Sequence, residues 1–80
     1  MHRSRLRWLL PPETDRWIGY HDGSEAAEVW PDGLCGNQIA QWKWKLIEAQ
    51  AAGVVSGTGN DDLDRRAAQS EADKAFYLPR

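Results

Sequence analysis

The sequence predicts an α+β fold, with a small antiparallel sheet of about three N-terminal strands packed against two C-terminal helices. Three observations carry this expectation. Apolar and charged residues alternate at period two through Arg5–Leu10, and aromatic and β-branched residues crowd Trp17–His21. Asp22-Gly23 follows at once, the dipeptide that a two-residue hairpin turn favours. The second half then holds two runs of helix formers, one behind Asn37 and one behind a cluster of aspartates. At 80 residues, the chain has the size of one small domain.

The elements follow in order. In the first strand Leu6, Trp8 and Leu10 share a side and Arg5 and Arg7 take the other, until Pro11-Pro12 stops the ladder. Trp17–His21 is the second strand. Glu25–Trp30 pairs back as the third, although Ala26-Ala27-Glu28 would also suit a helix. Pro31-Asp32-Gly33 has the chemistry of a turn.

The first helix is expected from Asn37, a good N-cap, to Gly53, a good residue just past a C-cap. Steps of about 100° then give two apolar stripes: Ile39, Trp42, Leu46 and Ala49 on one, Ala40, Trp44, Ile47 and Ala51 on the other. Trp42-Lys43-Trp44-Lys45-Leu46 also alternates as a strand would, but length and capping residues favour the helix. Val54–Gly59 is a connector. The second helix opens on Asp61-Asp62-Leu63-Asp64, with acids at the positive end of its dipole, and runs to about Phe76. No internal repeat or low-complexity segment is present.

Composition narrows the function. All five tryptophans lie in the first 44 residues, in a chain whose mean hydropathy is -0.70. An indole can bury about 150–250 Å², so tryptophan supplies either a core or a grip on a partner. Cys35 is the sole cysteine, which excludes an intrachain disulfide and suits a reducing, cytoplasmic setting. No stretch approaches the ~20 apolar residues of a membrane span. The run Trp8-Leu9-Leu10 halts at Pro11, too soon for a signal peptide. The net charge of -2 is neither the basic excess of a nucleic-acid binder nor the density of a duplex mimic.

Ligating and catalytic motifs are scarce. His2, His21, Asp22 and Cys35 share no zinc spacing. Residues 60–64 lack the oxygen pattern, central glycine and closing glutamate of a calcium loop. Cys35 and His21 have no evident third partner for nucleophilic catalysis, and glycine-rich Val54–Gly59 lacks the lysine and hydroxyl of a phosphate loop. The expectation is a non-enzymatic chain without cofactor or metal.

Two groups remain as candidate interaction residues. Glu25, Glu28 and Asp32 surround Trp30, and a helical Trp44 would point about 200° from Trp42, free to meet a partner. Acid rims with aromatic centres suit docking onto a basic protein surface. Alternatively Arg3, Arg5 and Arg7, with Lys43 and Lys45, would track phosphates beside stacking indoles. In size, acidity and want of other motifs the chain resembles the small inhibitors carried by phages and mobile elements, anti-CRISPR proteins among them. That resemblance implies a protein that occludes a basic surface of a nucleic-acid-handling complex. A nucleic-acid-binding regulator and a self-associating phage structural subunit are the competing expectations; a homodimer is expected of the subunit and does not exclude an inhibitor.

Overall fold

The computed structural model describes residues 5–78. Five strands and one helix follow in chain order: β1 (Arg7–Leu9), β2 (Trp17–His21), β3 (Ser24–Cys35), β4 (Gln38–Leu46), β5 (Ala52–Ser56) and α1 (Asp61–Tyr77). The strands form one antiparallel meander in sequence order. The α+β class therefore holds, with five strands in place of three and one helix in place of two.

The turns explain the topology. Asp22 (φ 50°) and Gly23 (φ 82°) form the expected two-residue hairpin between His21 and Ser24. A second hairpin, unexpected, turns on Gly36 (φ 65°) and Asn37 between Cys35 and Gln38. Glycine at the first central position is what a type II′ turn requires. Asn37 is thus a turn residue and caps no helix. Pro31-Asp32-Gly33 is no turn either. Pro31 sits within β3 opposite Trp42. The bond from the Ile47 amide to the Ala26 carbonyl sets the alternation, so the proline nitrogen faces the β2 side. There β2 has already ended, because Trp17 lies opposite Val29, and no ladder bond is lost.

The expected helix from Asn37 to Gly53 is instead β4, a turn and the start of β5. Period two puts Trp42, Trp44 and Leu46 on one face, where all three are buried. On a helix the two indoles would have diverged. Burial of both against one layer decides between two local readings that propensity leaves close.

Helix α1 forms as expected, from Asp61 to Tyr77. Asn60 accepts from the Leu63 amide at 3.1 Å, with Asp61, Asp62 and Asp64 in the first turn. Asp64 is 2 % exposed and accepts from both the amide and the hydroxyl of Thr58, at 2.8 Å each, which locks the loop leaving β5. Ala68 and Ala72 are fully buried, so the helix approaches the sheet closely and the sheet supplies the bulk: Leu6, Ala27, Val29, Trp42, Trp44 and Leu46. Two indoles lie across glycines of a neighbouring strand, Trp8 over Gly19 and Trp44 over Gly53.

The helix also satisfies indole donors. Trp44 Nε1 donates to Glu71 at 2.9 Å, and Trp8 Nε1 to Asp73 at 3.3 Å. Asp73 further accepts from the Leu6 amide at 2.9 Å, tying the N-terminal segment to the helix. Burial pushes the Asp73 carboxyl above its ordinary value of 3.8, against the pull of these donors and Arg5. The folded chain then holds this proton more tightly than the unfolded chain. The group adds stability as pH falls through its folded pKa towards 3.8, and subtracts stability at neutral pH. Asp73→Asn keeps an acceptor for Leu6 and loses the charge. Urea titrations should find it at least as stable as the parent at neutral pH, with the advantage shrinking in acid. An advantage that grows in acid would contradict the assignment.

Candidate protein-binding face

Among the described residues the helix covers one face of the sheet and no second helix covers the other, the bare face. Four indoles lie on the covered side. Trp42 and Trp44 are buried, Trp8 reaches Asp73, and Trp17 carries the Arg65 guanidinium of α1 at 4.5 Å from its ring centroid. Trp30 alone among the tryptophans lies on the bare side, alternating with buried Val29. It is half-buried, with the Arg16 guanidinium 4.4 Å from its ring centroid.

Strand register sets what surrounds Trp30. Lys43 stands opposite it on β4, and Val54 stands opposite Lys43 on β5. The next row holds Leu9, Ile18, Glu28, Lys45 and Ala52. Leu9 is 46 % exposed and Val54 50 %, while Ile18 is buried. Asp32 and Gln41 form a third row with Ser56. The result is a mixed surface, apolar along its width and charged between.

The charges are paired within the face. Arg16 Nη1 lies 2.9 Å from Glu28 Oε1, and Lys45 Nζ lies 3.5 Å from Glu28 Oε2. Lys43 Nζ lies 3.3 Å from Asp32 Oδ2, which also accepts from Gln41 at 2.7 Å. The Gln41 hydrogen bond and then Lys43 hold the Asp32 carboxyl below 3.8. Its contribution to stability is present above 3.8 and lost as pH falls through the lowered value. Solvent screens such exposed pairs, so they order the surface more than they stabilise the fold.

Sequence reasoning named Glu28, Trp30 and Asp32 together, and the structure brings them together. It also places Lys43 and Lys45 there, as their ion-pair partners, which the alternation of β4 contains but a helical reading conceals. Arg7 shares the bare face, beside Tyr20. Arg5 lies instead at a groove of about 390 Å³ with Asp73 and Arg65, so the two do not form one track. Arg3 lies outside the described residues, as does His2. Glu25 sits opposite Tyr20 at a bulge, on the rim of a pocket of about 240 Å³ with His21, Glu48 and Phe76. It is apart from Glu28 and Asp32.

Trp44 is the correction. It is 8 % exposed and hydrogen-bonded to α1, so it cannot meet a partner in the folded chain. Residues missed from sequence are Arg16, Leu9 and Val54. Arg16 immediately precedes Trp17, a helix-side residue of the expected β2, and alternation alone would have put it on the opposite face.

Cys35 is exposed at the end of β3, and His21 contacts Tyr77 at 3.2 Å rather than a thiol. Among the described residues no group of three or more His, Cys, Asp or Glu is placed to hold a metal ion. No helix among them is long and apolar enough to cross a membrane. No known family, curated protein or solved structure matches this chain.

Proposed function

We propose that this chain is a non-enzymatic protein-binding module that acts by covering a partner's surface with the bare face of its sheet. The observation that carries the reading is one-sided coverage: α1 takes four indoles, and Trp30 stays on the uncovered face with Val54, Leu9 and Arg16. A partly buried indole held by a guanidinium, inside a frame of fixed charges, has the composition of an interface centre. Glu28 and Asp32 can exchange their internal lysines for basic groups of a partner. This favours an inhibitor-like role in which the face occludes a basic protein surface, such as that of a nucleic-acid-handling complex.

The test uses the purified chain as bait in cell lysate, beside Trp30→Ala, the double variant Glu28→Gln with Asp32→Asn, and Leu63→Ala as an exposed helix control. The expected result is a protein retained by the parent and by Leu63→Ala, and lost about tenfold or more with either face variant. Retention that is equal for all four baits sinks the reading. A single-stranded oligonucleotide retained instead, with steep salt dependence and loss on changing Lys43 and Lys45, would replace it with the nucleic-acid alternative.

A further inference from the structure

The two edges of the sheet are treated differently. The β1 edge is three residues long, opens on Arg7 with Arg5 just before it, and has Pro11-Pro12 just beyond. Its Leu6 amide is taken by Asp73. Short length, charge and proline are the usual means of keeping a sheet edge from pairing. The β5 edge has none of these. Ala52-Gly53-Val54-Val55-Ser56 is uncharged and free of proline, and Gln50 and Thr58 beyond it are uncharged too.

The hydrogen-bond register shows which groups β5 turns outward. The Leu46 amide donates to the Ala51 carbonyl at 2.9 Å, and the Gly57 amide to the Ala40 carbonyl at 2.8 Å. Antiparallel ladders alternate, so residues 51, 53, 55 and 57 face β4. Ala52, Val54 and Ser56 therefore point their amides and carbonyls away from the sheet. None of these groups has a hydrogen-bond partner among the described residues. Three donors and three acceptors stand in line on an apolar, β-branched strand.

We infer that β5 pairs with β5 of a second copy of this chain, antiparallel about a two-fold axis at Val54, joining two sheets into one. Self-pairing is favoured by symmetry. With Val54 opposite its own copy, Ala52 meets Ser56 and Ser56 meets Ala52. Outward residues then meet only outward residues, and every exposed amide and carbonyl of the three finds a partner. No like charges meet across the axis, and two half-exposed valines do. The joined sheet would carry the bare face of both copies side by side. This inference stands apart from the docking proposal, since it uses the edge of the sheet and not its face.

The experiment is native mass spectrometry and sedimentation of the full chain over about 10–500 µM, a range suited to a small interface. A concentration-dependent dimer is expected. Val54→Glu places like charges together on the axis but faces Lys43 within its own sheet, so the fold should survive, as cooperative urea unfolding would show. Dimerisation should weaken at least about tenfold. Val54→Arg should do the same alone. Mixing the two variants, which differ in mass, should restore a dimer with one chain of each kind. A parent that stays monomeric throughout overturns the inference, and so does a dimer that Val54→Glu leaves intact. A monomer that pairs β5 only with an extended segment of another protein would overturn it equally. Loss of lysate binding by Trp30→Ala with the dimer retained would separate the two proposals.

Discussion

Trp44→Ala should cost about 3–5 kcal/mol of stability, measured by urea or thermal unfolding. The indole is 8 % exposed, lies across Gly53, donates to Glu71 and packs under Ala68 and Ala72. Its removal leaves a large void between sheet and helix. A domain of this size holds about 4–12 kcal/mol in all, so the substitution should remove about a quarter of that stability or more. Trp30→Ala is the comparison. It forfeits a partly buried ring on the uncovered face and a guanidinium contact, worth about 1 kcal/mol together. Equal losses from the two substitutions would mean that the sheet's faces have been assigned wrongly.

Gly53→Ala should destabilise by about 1–3 kcal/mol, despite adding a single methyl group to a strand. A Cβ there would fall 2.6 Å from Trp44 Cε2 and 2.8 Å from Cζ2, well inside the ~3.5 Å of optimal carbon contact. The ring cannot withdraw, because the helix closes over it. Backbone conformation is not the obstacle, since Gly53 is absent from the positive-φ residues. The sign of the effect should therefore depend on Trp44. In a Trp44→Leu background the clash is gone, and Gly53→Ala should become neutral or stabilising by about 0.4–1 kcal/mol through the unfolded state. The same loss in both backgrounds would show that the close approach is not its cause.

Elements marked by one strong local signal were legible. Asp22-Gly23 fixed the first hairpin, Pro11-Pro12 the end of β1, and the aspartates behind Asn60 the start of α1. The β4–β5 hairpin was not legible, because Gln, Ala, Lys and Glu lend residues 38–50 a helical propensity that its period-two pattern contradicts. Gly36-Asn37 fits both a helix start and a type II′ turn. The candidate site was half legible for the same reason. Glu28, Trp30 and Asp32 are close in sequence on one strand. Their partners Lys43 and Lys45 reach them only across a register that a helix would abolish, and that error also set Trp44 on a surface where it does not stand.

From its sequence alone this chain was bound to be α+β and without an intrachain disulfide, with an N-terminal meander and a C-terminal capped helix, since each of these follows from residue content or from residues acting within one turn or one strand. Which indoles are hidden was settled only in three dimensions. A lone helix with two alanines at its closest approach can cover one face of five strands, and the face it leaves is where Trp30 and the ion-paired rows meet solvent. Long-range pairing, paid for by burial of Trp42 and Trp44 together, outweighed the local preference of the strand that carries them.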